Sequence, residues 1–202
     1  MARSAARNEV RIGGGSWRGR KLSFPDAEGL RPTPDRVRET LFNWLRNSIA
    51  GARCLDLFCG SGALAFEALS RGAREVVCVE QERQVVAQLH QAAAMLGASG
   101  AQIVRGSAEV YVATEIPRPF DIVFLDPPFG LGQLQRICPL LESRGWLADG
   151  ATVYLEAERD LVEWPIPPNW EILRDKTAGQ VRYALAQRVL PSATNTLSRP
   201  AP

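Results

Sequence analysis

The chain has a single histidine in 202 residues, and none of its four cysteines are spaced as C-x-x-C. That scarcity excludes the common zinc ligand sets, so no metal is expected. Three of the four cysteines (Cys54, Cys59, Cys78, Cys138) sit in or beside apparent core strands. They read as reduced thiols of a cytoplasmic protein rather than as a disulfide framework. No apolar run approaches the length that crosses a bilayer, so no membrane partner is expected. The first ten residues are basic but lack an apolar segment, so no secretory leader is expected either. There is no internal repeat. What remains is 46% hydrophobic and 23% charged, the composition of an ordinary soluble globular protein. The length suits one α/β domain with a small extension.

Net charge is only +2, but it is uneven. Residues 1–50 hold ten Arg or Lys against five Asp or Glu, net +5, and the rest is net −3. A basic front on a near-neutral body points to a polyanion partner; a solvated basic surface is the plainer alternative. Residues 9–24 read as two short strands around a Gly-rich turn. Thr33 and Pro34 then make a helix start, Thr as N-cap and Pro at the first position. The apolar stripe Val37, Leu41, Trp44, Leu45, Ile49 carries that helix to about Ile49.

From residue 52 strands and helices alternate. Strands are expected over 54–58, 75–80, 102–104, 120–126 and 152–156, with helices over 60–70, 82–96 and 131–143. Strands near 170–174 and 181–187 have no helix between them and form a hairpin, so the sheet is mixed. The expected organisation is a basic hairpin-plus-helix extension over 1–50, a catalytic α/β domain over 51–190, and a disordered tail over 191–202.

Two loops carry the chemistry. Asp126-Pro127-Pro128-Phe129 follows the continuous apolar run Ile122 to Leu125. Two prolines end the strand and stiffen the loop that follows. Open α/β sheets place their sites at such carboxyl ends. The Asp126 carboxylate and the Pro127 carbonyl can accept hydrogens from the exocyclic amino group of a base, and Phe129 can stack on its ring. A strand followed by a proline turn with a capping Asp is the plainer alternative.

The second loop, Asp56 to Gly62, lies between a strand and a helix. Gly60 and Gly62 let backbone approach a ligand, and the helix start offers free N–H groups. Phe58 lies within this loop. Gly60, Gly62 and Ala65 also fit a dinucleotide fingerprint, so NAD must be weighed. Glu80 closes the second strand where an acid binds ribose hydroxyls in either case, about 20 residues on. Asp56 favours S-adenosylmethionine, because a carboxylate there repels a pyrophosphate but attracts an ammonium group. The Asp-Pro-Pro-Phe loop also has no use in hydride transfer. Ser107 and Ala108, after the third strand, are candidates to face the adenine.

Together these residues resemble class I S-adenosylmethionine-dependent methyltransferases. More closely, the chain looks like the RsmD-type bacterial family that methylates a guanine N2 of 16S ribosomal RNA. The resemblance spans Arg11 to Arg188. It rests on Ile12-Gly13-Gly14, Trp17 to Leu22, Gly29 to Leu45, Asp56 to Gly62, Glu80 and Asp126 to Phe129. At Ser107 the family more often shows Asn or Asp, a departure that bears on the adenine contact.

The resemblance implies a doubly wound, mostly parallel, seven-stranded Rossmann-like sheet with a small N-terminal hairpin and helix. It implies S-adenosylmethionine as methyl donor, bound by Asp56, Phe58, Gly60, Gly62, Glu80, Ser107, Ala108 and Asp126. Asp126, Pro127 and Phe129 are the expected catalytic residues. Arg11, Arg18, Arg20, Lys21, Arg31, Arg36 and Arg38 are expected to hold phosphates of 16S rRNA within the small subunit, unless some brace the cofactor pocket. Oligomeric state stays open, with a monomer favoured. Three other readings stay open: a DNA amino-methyltransferase, an inactive nucleic-acid-binding module on the same fold, and a dinucleotide oxidoreductase.

Overall fold

The apolar runs of the chain gather into one sheet. The computed structural model describes residues 8–24 and 33–190. A small antiparallel pair, β1 (Asn8–Arg11) and β2 (Lys21–Phe24), stands apart. Seven strands make the main sheet: β3 (Arg53–Asp56), β4 (Glu75–Glu80), β5 (Ala101–Arg105), β6 (Phe120–Leu125), β7 (Leu147–Glu158), β8 (Trp170–Ala178) and β9 (Val181–Arg188). Their order is β5-β4-β3-β6-β7-β9-β8. The first five in that order run parallel, and β9 is antiparallel to both neighbours. This is the expected mostly parallel sheet with a terminal hairpin. Winding reverses between β3 and β6, which opens a crevice at their carboxyl ends.

Helices cover both faces: α1 (Asp35–Trp44), α2 (Ala63–Ser70), α3 (Arg83–Leu96), α4 (Ala108–Thr114) and α5 (Gln133–Ser143). Side chains alternate across a strand, so each strand feeds two cores. Cys54, Ile122, Phe124 and Tyr154 join α1, α2 and α3 on one face. Leu55, Val123, Leu125 and Val153 join α4 and α5 on the other. Burial on both faces explains why β6 reads as an unbroken apolar run. Val85, Leu89, Ala92 and Leu96 form the buried stripe of α3, which Gly97 ends in the left-handed conformation. Among the described residues no helix is long and apolar enough to cross a membrane.

The N-terminal hairpin shares the first core through Val10, Ile12, Leu22 and Phe24. Its turn is fastened to α2. Buried Glu67 accepts from the Gly13 N–H at 2.6 Å, and Ser70 Oγ accepts from the Trp17 N–H at 2.9 Å. The Ser70 hydroxyl also donates to the Gly14 carbonyl at 2.5 Å. A side chain at Gly15 would stand 1.8 Å from the Ser70 carbonyl oxygen, and Gly15 has φ +76°. Only glycine fits there.

Several boundaries differ from the sequence expectation. Helix α1 begins at Asp35, with Pro34 as its extended N-cap (φ −54°, ψ 144°) and no side-chain cap. Thr33 is therefore not the cap, because its hydroxyl is engaged elsewhere. The helix ends at Trp44; the chain then turns and still buries Ile49. Helix α2 starts at Ala63 rather than residue 60, since Gly60 and Gly62 have φ values of +49° and +77° that break a helix. Helix α4 was not expected; it is one short segment capped by Ser107. Strand β7 is longer than expected.

Candidate active site

The crevice at the winding reversal collects the acids of both loops. Asp56 is the last residue of β3 and is 1% exposed. Its Oδ1 has no hydrogen-bond partner among the described residues. Burial, then the negative charge of Asp126, pushes its pKa up to about 7. Such a group is costly unless something positive or hydrogen-bonding meets it.

Beside it, the glycine turn is held by Glu80 at the end of β4. Glu80 Oε2 accepts from the Gly60 N–H at 2.9 Å, and its Oε1 accepts from the Glu82 N–H at 2.9 Å. Glu80 as a whole is half-buried. Gly62 is the left-handed N-cap of α2. A side chain there would strike Phe66 at 2.5 Å and Leu89 at 2.8 Å. The chain thus runs close against the α2–α3 packing, with the Gly60 N–H on Glu80 and the Gly62 N–H on the Cys59 carbonyl at 2.8 Å. Phe58 is partly buried against the second core. Ser107 Oγ accepts from the Val110 N–H at 3.3 Å, so this hydroxyl serves as the cap of α4. Ala108 is buried.

On the other side of the reversal, Asp126 follows β6 and is partly buried. Thr33 Oγ1 donates to Asp126 Oδ2 at 2.9 Å, across 93 residues of sequence. Burial raises the Asp126 pKa to about 6, and the Thr33 hydrogen bond restrains the rise. Pro127 is buried and Phe129 is 42% exposed. An exposed phenyl ring beside a fixed carboxylate is a ready stacking platform. A small pocket of about 30 Å3 opens here, lined by Pro127, Phe129, Gly132, Gln133, Glu156 and Leu161 among others.

Sequence reasoning missed three residues of this half: Thr33, Tyr154 and Glu156. The Tyr154 hydroxyl donates to Glu156 Oε2 at 2.6 Å, and both residues are buried. The one available signal was a Glu ending the apolar strand at 152–156 and matching Asp126 after its own strand.

The basic residues scatter more than expected. Arg11, Arg18, Arg20, Lys21 and Arg36 are exposed. Lys21 pairs with Glu9 at 2.6 Å and Arg20 reaches the Met95 carbonyl at 3.0 Å. Arg38 corrects the expectation of a phosphate contact, being only 4% exposed. Its Nη2 donates to the Arg11 carbonyl at 2.9 Å and to Asp35 at 2.6 Å. It braces the hairpin against α1. Arg31 lies outside the described residues.

Comparison with known proteins fits this architecture. The family model described as Conserved hypothetical protein 95 matches residues 10–187. The ribosomal RNA small subunit methyltransferase D of Escherichia coli K12 is 51% identical over 180 residues, covering 89% of this chain and 90% of that protein. Its Haemophilus influenzae counterpart is 45% identical over 187 residues, covering 90% and 95%. The solved structure of the yhhF protein of Escherichia coli superposes with a TM-score of 0.85 at 48% identity, covering 90% of this chain and 99% of that one. With a matching model over nearly its whole length and relatives this similar, the chain belongs to the RsmD-type methyltransferase family.

Proposed function

We propose that the protein transfers a methyl group from S-adenosylmethionine to the exocyclic N2 of a guanine in 16S ribosomal RNA of the small subunit. The observation that carries the reading is Asp126. It is a partly buried carboxylate fixed by Thr33, and the residues that follow it in the chain, Pro127 to the exposed Phe129, line a pocket. The RNA substrate is supported by the names of the close relatives.

The residues present fit the donor. Asp56 Oδ1, buried and unpartnered among the described residues, would meet the ammonium group. Glu80, anchored by two backbone N–H groups, would accept from the ribose hydroxyls. Gly60 and Gly62 would let the backbone close on the ligand. When bound, S-adenosylmethionine supplies an electrophilic methyl on a sulfonium.

The protein's own work lies on the acceptor. The N2 lone pair is delocalised into the purine ring and attacks poorly. Asp126 and the Pro127 carbonyl accept from the two N2 hydrogens and turn the lone pair toward the methyl. As the N–C bond forms and the S–C bond breaks, sulfur keeps the bonding pair and N2 gains positive charge. Asp126 stabilises that charge; one such contact is worth about 2.7–4 kcal/mol. The departing N2 proton goes to Asp126 or water. In-line alignment contributes further. Phe129 stacks on the extruded base, worth about 1–3 kcal/mol.

The test is transfer of labelled methyl to three acceptors: free 16S RNA, small subunits lacking the modification, and unmethylated duplex DNA. N2-methylguanosine from RNA or subunits supports the reading. N6-methyladenine or N4-methylcytosine in DNA would replace it.

A further inference from the structure

Glu156 stands beside the reacting centre, and the chemistry above gives it no task. Leu125 and Leu155 are register partners on parallel strands, so Asp126 and Glu156 follow side by side. Neighbouring strands lie about 4.8 Å apart. Glu156 is 3% exposed and lines the pocket with Pro127 and Phe129. The Tyr154 hydroxyl holds Oε2 at 2.6 Å, and among the described residues nothing hydrogen-bonds to Oε1. No described Arg or Lys pairs with this carboxylate. Burial, then the Asp126 charge, raises its pKa to about 8, while the Tyr154 hydrogen bond acts in the opposite direction. A carboxylate kept at that cost inside a substrate pocket, and held in one rotamer by a buried tyrosine, is a functional candidate.

We infer that Glu156 selects guanine by accepting a hydrogen bond from its N1–H, while Asp126 holds the adjacent amino group. The inference rests on the proposed reaction at N2. Guanine alone among the four RNA bases offers a ring N–H directly beside an amino group. Two neighbouring carboxylates are therefore a matched pair of acceptors for it. Adenine and cytosine place a ring-nitrogen lone pair next to their amino group, and that lone pair would face Glu156. Accepting from N1–H also favours the ionised carboxylate, since hydrogen bonds to a charged form stabilise it. The two acids then divide the work: Asp126 serves the reacting atom, and Glu156 chooses the base. A site built around such a hydrogen bond rejects analogues that lack it far more strongly than a shape-based pocket does.

The experiment uses small subunits reconstituted with 16S RNA that carries either guanine or 2-aminopurine at the modified position. 2-Aminopurine keeps the amino group but has a lone pair in place of N1–H. Assays are run at pH 8, below the range where guanine N1 itself loses its proton, and the N1–H hydrogen bond favours the ionised carboxylate. The wild-type protein should prefer guanine by at least ~100-fold in kcat/KM. In Glu156→Gln the side-chain amide can donate to the 2-aminopurine ring nitrogen, so the preference should collapse to about tenfold or less while S-adenosylmethionine affinity stays within a few-fold. Tyr154→Phe, which frees the carboxylate to turn, should reduce the preference part of the way. A guanine preference unchanged in both variants would overturn the inference alone, leaving N2 methylation intact. Failure of the wild-type protein to form N2-methylguanosine would overturn the underlying reading and this inference with it.

Discussion

The carboxyl ends of β3 and β4 and those of β6 and β7 lie side by side in one sheet, yet they hold their polar groups by different means. The first half is mostly backbone: a glycine turn pinned by Glu80 through the Gly60 and Glu82 N–H groups, with Asp56 left unpartnered. The second half is mostly side chain: Asp126 fixed by the Thr33 hydroxyl and Glu156 by the Tyr154 hydroxyl. A backbone cradle suits a ligand with fixed chemistry that every turnover repeats. A side-chain array can be tuned atom by atom to one base among four.

If the two halves divide the labour this way, damage to one should spare the other. The largest effect is expected at Asp126. Asp126→Ala should lower kcat by about 100- to 1000-fold, the loss of one charge-directed contact, with S-adenosylmethionine affinity within a few-fold; single-turnover methyl transfer and calorimetric titration check both. Retained turnover would end the proposed role of this carboxylate.

Glu80→Ala should do the reverse. Losing charge-assisted hydrogen bonds should weaken S-adenosylmethionine about 10- to 100-fold and leave RNA affinity unchanged. An unaltered cofactor dissociation constant would remove Glu80 from the first half.

Thr33→Val tests the second half more finely. Thr33 favours the ionised form of Asp126, so its loss should raise the Asp126 pKa above its present value of about 6. The proposed reaction uses the ionised carboxylate, so the acid limb of the rate profile should move to higher pH. Activity at pH 6 should fall several-fold and activity at pH 8.5 should fall little. A uniform loss across pH would mean that Thr33 supports only the fold.

The smallest effect concerns stability. Asp56 has a folded pKa of about 7 against an ordinary value of 3.8. Between those values the folded protein holds a proton that the unfolded chain releases, so stability falls as pH rises through the window. Asp56→Asn removes this dependence. Without cofactor, the variant should gain melting temperature over wild type at pH 8, about 2–4 °C for each kcal/mol relieved, with little gain at pH 4. Melting curves at the two pH values decide it.

The unequal visibility of the two halves in the sequence has the same origin. Asp56 to Gly62 is one contiguous loop, so its spacing could be read directly, and Glu80 follows at a fixed distance because one helix and one strand intervene. Asp126-Pro127-Pro128-Phe129 was likewise legible as a strand stop. The partners of Asp126 were not. Thr33 looked like a helix cap because Thr before Pro usually is one, and only the docking of α1 over the end of β6 diverts its hydroxyl to a carboxylate. Glu156 became visible once the register of β6 and β7 was known. Arg38 misled for a related reason: its charge suggested a surface, but the hairpin folds over it. The strand order was legible in outline because apolar runs report burial, while α4 escaped as a segment too short to show a clear period.

The docking of the N-terminal hairpin has a consequence for how the family can change. Its polar ties to α1 and α2 run through main-chain atoms: the Arg11 and Gly14 carbonyls and the Gly13 and Trp17 N–H groups, with the Ser16 hydroxyl as the exception. Every residue except proline offers those same atoms. Arg18 can therefore be exchanged without touching these ties, provided the inward apolar residues and the glycines stay, whereas Arg20 also holds the Met95 carbonyl of α3 and Lys21 pairs with Glu9 across the hairpin. Its outer face is a replaceable tread on a fixed mount, free to drift with the surface it meets while the catalytic crevice behind it keeps its shape.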